Sequence, residues 1–271
     1  MLPFFLESQS GPLFSIYHSP QNMGSLRAAL HVPAFAEEMN KSRRMVALQV
    51  RELAEQGYAV LELDLFGTGD SCGNFGEASW SIWLQNVADA VAWLRQQGAQ
   101  TITLWGLRLG GLLAMDFVSQ HPGVVDNLVV WQPILNADSF VTQFLRLRVA
   151  AAMMNNAIPQ EKTSDLKNQL QQGNALEVAG YLLNPDLINP LTALKIAPVA
   201  LKTLKNILLF EVVMAEDTQP NFLNQQFLDG LLKFGVDADL ITVVGDSFWA
   251  SQEITTAPAL LQATSEYVKQ W

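Results

Sequence analysis

The stretch Leu104-Trp105-Gly106-Leu107-Arg108-Leu109-Gly110-Gly111 decides the fold that we predict for this chain. An apolar run over 101–105 predicts a buried strand, and the run over 112–119 predicts a helix. The glycines between them leave room for a sharp turn, which holds its middle residue in a strained backbone conformation. That middle residue is Arg108.

A strand that enters a helix through a turn of the form G-x-?-x-G is the nucleophile elbow of the α/β-hydrolases, whose middle residue attacks the substrate. Arg108 cannot be that nucleophile, because a guanidinium stays protonated and has no usable lone pair. The pattern therefore predicts an α/β-hydrolase fold, with a mostly parallel twisted sheet and helices on both faces. It does not support the usual reaction of that fold.

The composition is typical of a globular protein with a substantial core. The chain has 271 residues, 49% of them hydrophobic and 15% charged, which suits one large domain with an insertion or at most two domains. No apolar run approaches the roughly 18 residues of a membrane span, and the first residues lack the basic region of a signal peptide. We therefore expect a cytoplasmic protein without a membrane span.

The charged residues and the single cysteine exclude several kinds of partner. The net charge is −10 and no large basic cluster is present, which argues against nucleic acid as a partner. Cys72 is the only cysteine, so an internal disulfide and a cysteine-built metal site are excluded. We expect neither a metal nor a cofactor.

Strand and helix patterns alternate on both sides of the elbow, as in a parallel sheet with crossover helices. They predict antiparallel strands before residue 34, a core strand at 28–32, a loop at 33–41 and a helix at 43–56. The alternation breaks down over 135–205, so we predict a core formed by 1–134 and 206–271 and a helical cap at 135–205. Within that cap we expect helices at 141–153 and 176–183, separated by a segment rich in Gln and Asn.

A serine hydrolase of this fold needs a nucleophile, an acid and a histidine in that chain order. The acid could survive as Glu216 or Asp217, after a strand predicted at 207–214. The base position falls at Phe248 or Ser247, since no histidine follows His121. We therefore expect no catalytic residues at the usual triad positions.

Backbone donors do not depend on these side chains and could still hold a polar ligand. The oxyanion-binding N–H groups of this fold would come from Leu109 and from Phe35 or Ala36. Our candidate ligand-binding residues are Arg108, Leu109, Phe35, Ala36, Glu38 and Phe248.

A cation at the first turn of a helix is unfavourable, because the helix dipole places positive charge there. Arg108 therefore needs an anion, which could be a carboxylate of the protein or a bound ligand, unless the side chain is exposed. Glu37 and Glu38 are the favoured carboxylates, because in active relatives the loop that carries them reaches over the nucleophile. We predict that Glu38 is the partner.

Four further polar residues receive structural interpretations. His31 lies in the core strand, and we expect a structural histidine with its hydrogen bonds satisfied. Asp70 and Ser71 are expected to hold their turn by local backbone hydrogen bonds rather than to act as acid and nucleophile. His121 is expected at the end of the elbow helix.

Several stretches together resemble the exosortase A system-associated hydrolases, specifically the second of their two ortholog groups. The resemblance rests on 31–44, 64–73 and 104–111, with less specific support from 180–182 and 248–249. It implies an α/β-hydrolase fold in bacteria that make exopolysaccharide and sort PEP-CTERM proteins. It also implies that the G-L-R-L-G elbow is a feature of the group.

Three classes of function remain open. The favoured one is a protein without a serine-hydrolase triad that binds a small molecule, or a protein of the exopolysaccharide/exosortase system, under its cap. The alternative is a hydrolase or acyltransferase that acts on an ester or acyl substrate through relocated residues such as Cys72, Ser71 or Ser247. The third is a structural subunit, and a homo-oligomer is compatible with each class.

Overall fold

The structure is a computed structural model that describes residues 1–20, 27–154 and 161–271. In these ranges eight strands form one sheet, and two short strands form a separate hairpin. In chain order the strands are β1 (Leu2–Leu6), β2 (Leu13–His18), β3 (Arg27–Val32), β4 (Tyr58–Leu63), β5 (Thr101–Leu107), β6 (Asn127–Trp131), β7 (Leu176–Val178), β8 (Tyr181–Leu183), β9 (Asn206–Val213) and β10 (Asp237–Val244).

The large sheet has the order β1-β2-β4-β3-β5-β6-β9-β10. The first two strands pair antiparallel, and β2 also runs antiparallel to β4. All the other neighbours are parallel. The predictions of antiparallel strands before residue 34 and of a mostly parallel sheet are confirmed.

Helices cover both faces of the sheet, as the long apolar strands require. The helices are α1 (Glu37–Glu55), α2 (Trp80–Gln96), α3 (Leu109–Gln120), α4 (Ala137–Met154), α5 (Thr163–Gln171), α6 (Pro185–Ala193), α7 (Phe222–Lys233) and α8 (Pro258–Val268). One buried cluster packs α1 and α8 on one face, and a larger one packs α2, α3 and α7 on the other. In the described part of the chain, no helix is both long and apolar enough to cross a membrane.

The connection between β3 and β4 differs from the prediction, because α1 begins at Glu37 rather than near residue 43. The predicted loop at 33–41 is therefore wrong beyond Ala36. Ala36 has φ 51° and ψ −126°, so the chain turns sharply there and enters the helix at once. Glu37 and Glu38 lie in the first helical turn, where the dipole favours negative charge.

The insertion between β6 and β9 contains α4, α5 and α6, but the helix predicted at 176–183 is wrong. That segment forms the β7–β8 hairpin. Leu176 and Val178 are buried while Glu177 between them is exposed, which is the two-residue period of a strand. Ala179 and Gly180 both have positive φ, which suits a tight hairpin turn.

The limits of the predicted cap stay a prediction. Part of its Gln- and Asn-rich segment, residues 155–160, lies outside the described residues.

Candidate ligand site at the elbow

The elbow has the predicted geometry. The strand β5 ends at Leu107, α3 begins at Leu109, and Arg108 between them has φ 54° and ψ −116°. This conformation is sparsely populated for a residue with a side chain. The backbone N–H of Arg108 donates to the carbonyl of Trp131 at 2.9 Å, which anchors the turn to the neighbouring strand.

Two glycines permit the close packing of the elbow. A Cβ atom on Gly106 would overlap the backbone of Gly110 and Gly111, so the end of β5 can touch the start of α3 only without a side chain. A Cβ atom on Gly110 would overlap the carbonyl oxygens of Val32 and Pro33. The elbow helix thus presses directly on the end of β3.

Arg108 forms an ion pair with Glu38, as predicted. Its Nη2 donates to Oε1 at 2.9 Å, and its Nε lies 3.2 Å from Oε1 and 3.3 Å from Oε2. This two-nitrogen geometry is the stronger kind of arginine–carboxylate contact. Because Glu38 lies in the first turn of α1, the pair joins α1 to the elbow.

Two aromatic rings complete the surroundings of Arg108. Its guanidinium carbon lies 5.7 Å from the ring centre of Phe140 in α4 and 5.6 Å from that of Trp249, within the range of cation–π attraction. Sequence reasoning missed both residues. The Phe248-Trp249 pair at the expected base position was the available signal, since an aromatic there can cover the elbow.

Most of the Arg108–Glu38 pair is removed from solvent. The side chains are 19% and 21% exposed. Burial raises the pKa of Glu38 above its ordinary value, while the charges of Arg108 and Lys41 act in the opposite direction. The cation is therefore held inside the site rather than presented to solvent.

A crevice of about 220 Å³ opens beside Arg108, between the loop after β6, the start of α4 and the start of α7. Most of its polar lining consists of amide side chains. Its lining residues are Arg108, Gln132, Pro133, Ile134, Leu135, Asn136, Ser139, Phe140, Gln143, Asn221, Leu223 and Asn224. Glu38 occupies Nε and Nη2 of Arg108, so Nη1 has no partner in the described chain.

A buried carboxylate positions two of the crevice amides. Glu211 in β9 is 5% exposed, and it accepts hydrogen bonds from the backbone of Asn221, at 2.9 and 3.1 Å, and from the side chain of Asn224. Glu211 therefore fixes the start of α7 against the crevice. No sequence pattern pointed to it, because an isolated acid within an apolar strand has no motif.

The residues at the expected acid and base positions have the following surroundings in the described chain. Glu216 and Asp217 are exposed, and neither forms a hydrogen bond with a histidine. Phe248 is 1% exposed and packs against Trp131 and Trp249.

His121 ends α3, as predicted. Its Nδ1 lies 3.0 Å from the carbonyl oxygen of Phe117, and its ring stacks on the ring of Phe117.

Of the six residues that we named for ligand binding, only Arg108 lines the crevice, and Glu38 contributes through its ion pair with Arg108. Phe35, Ala36, Leu109 and Phe248 are all buried and contribute no surface to it. Phe35 instead packs in an aromatic cluster with Phe75, Trp83, Phe140 and Phe144. A ligand role for these four residues remains a prediction.

The three residues considered as relocated nucleophiles form no hydrogen bond with a histidine in the described part of the chain. Ser71 donates to the carbonyl of Asp64 at 2.5 Å and accepts from the backbone N–H of Phe14 at 2.8 Å, so it holds its turn as expected. Cys72 contacts the carbonyl of Ser10 at 3.3 Å. The hydroxyl of Ser247 has no hydrogen-bond partner in the described chain.

His31 departs from the prediction of a satisfied structural histidine. It is 6% exposed, and neither ring nitrogen has a hydrogen-bond partner among the residues that the structure describes. Burial, and then the charge of Arg43, lowers its pKa to about 3. On the neighbouring strand, burial raises the pKa of Glu62 to about 7. The charges of Arg43 and Arg51 oppose this rise, and the charge of Asp64 adds to it.

These two shifts predict opposite effects of pH on stability. The unfolded His31, with its ordinary pKa of 6.5, binds a proton before the folded one, so stability falls as pH falls from 6.5 towards 3. On acidification the folded Glu62, with a pKa of about 7, binds a proton before the unfolded one, whose pKa is 4.5. The stability therefore rises as the pH falls from 7 towards 4.5. Burial also lowers the pKa of His18, so this residue changes the stability in the same direction as His31 does.

We therefore expect the variants Glu62→Gln and His31→Phe to diverge on acidification. Relative to the wild type, lowering the pH from 7 to 4.5 should destabilise Glu62→Gln and stabilise His31→Phe, each by about 2–3 kcal/mol. Urea unfolding at several pH values measures both. Identical pH profiles for the two variants and the wild type would contradict this assignment.

The fold can now be compared with known proteins. A family model described as serine aminopeptidase, S33, matches residues 34–209, which is more than half of the chain. The chain belongs to the serine aminopeptidase S33 family. A comparison of the sequence of this chain with curated proteins found no match.

Solved structures match this S33 family member over nearly its whole length. Est1E from Butyrivibrio proteoclasticus, solved with ferulic acid bound, has 18% identity and a TM-score of 0.68, covering 98% of this chain and 96% of that one. Mouse alpha/beta hydrolase domain-containing protein 10 has 16% identity and a TM-score of 0.63, covering 100% and 99%. At these identities the likeness establishes the α/β-hydrolase fold alone.

Proposed function

We propose that this S33 family member is a binding protein that does not hydrolyse its ligand, and that the crevice beside Arg108 is the ligand site. The observation that carries this proposal is Arg108 itself, which occupies the nucleophile position and is held there by Glu38. An aromatic residue, Phe248, fills the base position and is buried. Triad members act as a unit, so replacement of either the nucleophile or the base alone removes most of their contribution to catalysis.

The lining of the crevice favours a small polar ligand rich in oxygen. Amide side chains both donate and accept hydrogen bonds, as the hydroxyl groups of a sugar do. The free Nη1 of Arg108 is a charged donor that favours an acceptor oxygen, ideally a carboxylate. A sugar acid supplies both groups, and the resemblance to exosortase-associated proteins makes an exopolysaccharide component the natural source.

The first prediction is that the purified protein hydrolyses p-nitrophenyl acetate and butyrate no faster than buffer does. Replacing Arg108 with serine should not create activity, because a serine without a base is a poor nucleophile. Release of p-nitrophenol measures both. Turnover by the wild type that serine- or cysteine-directed inhibitors abolish would contradict the proposal and favour the alternative, an ester or acyl hydrolase with relocated residues.

The second prediction concerns binding, with sodium glucuronate and glucose as probes in calorimetric titrations. Glucuronate should bind more tightly than glucose, and Arg108→Met should remove this difference because it removes the charged donor. Gln143→Ala should weaken both sugars without disturbing the ion pair. Arg44→Met is the matched control, since it removes an exposed arginine that is not part of the crevice lining. Equal binding of both sugars by the wild type would contradict the assignment of Arg108 as the recognising group.

A further inference from the structure

A second cavity lies on the other face of the sheet, away from the elbow crevice. It occupies about 250 Å³ between α1 and the strands β2, β4 and β3. Its walls are mainly apolar, with Phe14 and Ile16 from β2 and Met39 and Val46 from α1. A dry cavity of about 150 Å³ accommodates benzene, so this one has room for a substituted ring.

His31 lines this cavity and is the reason to regard it as a site. The residue is more than nine-tenths buried, and neither ring nitrogen is bonded to any part of the chain that the structure describes; Nε2 is fully buried, whereas Nδ1 keeps accessible surface. A buried polar group without a partner costs free energy, so native proteins almost always satisfy it. A neutral imidazole has one donor and one acceptor, and therefore requires a partner of matching chemistry.

A second polar group borders the same cavity beside His31. Register places Glu62 of β4 directly between Ile16 and His31, so all three project from the same face of the sheet. One oxygen of Glu62 contacts Nε2 of His18 at 2.9 Å, which leaves the other oxygen without a partner in the described chain. The polar end of the cavity therefore combines a neutral imidazole with a carboxyl oxygen.

We propose that this cavity binds a small, uncharged, hydroxyl-bearing molecule with an apolar body, such as a phenol, whose hydroxyl group bonds to His31. A hydroxyl group both donates and accepts, which matches the imidazole. A carboxylate can only accept, and Glu62 and Asp64 on the cavity lining oppose its charge. A hydrocarbon of the same size would leave Nδ1, the ring nitrogen with accessible surface, without a partner.

The three histidines of the chain allow a direct test on the full-length protein. Phenol is titrated into ¹⁵N-labelled protein at pH 7.5 while the imidazole nitrogens are followed by NMR. The ring signals of His31 and His18 should shift and saturate, whereas those of His121, at the end of α3, should not move. Benzoate and toluene, titrated in the same way, should bind about tenfold more weakly or worse, the loss expected when one hydrogen bond is unmade.

Two variants separate the cavity from non-specific binding. Ala47→Phe places a ring into the cavity from α1 and should abolish the saturable shift of His31. His31→Phe keeps an aromatic ring next to Trp105, with which His31 packs at 4.7 Å, and should weaken phenol binding about tenfold. Circular dichroism verifies that both variants are folded.

The remaining outcomes overturn the proposal. Absence of a saturable His31 shift would mean that the cavity does not take such a molecule. Toluene binding as tightly as phenol would remove the role of the hydroxyl group. Benzoate binding more tightly would assign the site to an anion held by Arg43 and Arg51 at the cavity lining.

Discussion

Gly110→Ala is expected to destabilise the protein by about 3–5 kcal/mol, at or above the upper end of the range for overpacking. The added methyl group would overlap the carbonyl oxygens of Val32 and Pro33. These are backbone atoms, so they cannot rotate away as a flexible side chain would. Relief requires α3 to move off β3, which would also shift the elbow. Urea unfolding monitored by circular dichroism measures the loss.

Gly57→Ala is the matched control for this effect. Gly57 has φ 88°, but a Cβ atom there would meet nothing within 4 Å. Its substitution should cost only the backbone strain of a positive φ, about 1 kcal/mol. If Gly110→Ala costs no more than Gly57→Ala, the elbow is more loosely packed than the structure indicates.

Glu38→Gln is expected to cost about 3 kcal/mol, because it leaves the Arg108 guanidinium without its counter-charge. Removing one partner of a fully buried pair costs about 3–5 kcal/mol, and the lower end applies here since about a fifth of each side chain remains exposed. The double variant Glu38→Gln with Arg108→Leu should recover most of the loss, since no cation is then left unpaired. Chemical unfolding of the wild type, the two single variants and the double variant gives the coupling energy.

Glu37→Gln controls for the change of net charge, one position earlier on the same helix. Its side chain is exposed and bonds to the hydroxyl of Tyr181 at 3.1 Å, away from Arg108. We expect a change within about 0.5 kcal/mol. Equal losses for Glu37→Gln and Glu38→Gln would show that the ion pair contributes nothing to stability.

The fold was largely predictable from sequence, because the features that specify it are local. Glycines that permit a close turn, and apolar runs with a strand or helix period, identify the elbow and the strand–helix alternation around it. The two errors have local physical causes as well. The start of α1 depends on the positive φ of Ala36, and alanine is not a residue type that predicts a turn with positive φ. The β7–β8 hairpin turns at Ala179-Gly180, where only the glycine is a typical signal.

The candidate site was predictable only where electrostatics restricts the choice. A cation at a helix N-terminus demands an anion, and this requirement led to Glu38. Nothing comparable pointed to Phe140 or Glu211, since the role of each depends on where distant segments meet, and Trp249 was indicated only by its position beside the expected base. The unpartnered state of His31 was equally invisible, because the sequence does not reveal which groups surround a buried ring.

The surroundings of Arg108 have a consequence for the order of folding. Its partner Glu38 lies 70 residues before it, while the rings that flank it belong to Phe140 in the insertion and Trp249 near the end of the chain. Contacts between residues so far apart in sequence form slowly, because a large loop must close before they are gained. Of these contact residues Trp249 is synthesised last, so the surroundings of Arg108 are complete only after residue 249 has docked. The surroundings of Arg108 therefore form only after segments from both sides of the elbow have come together.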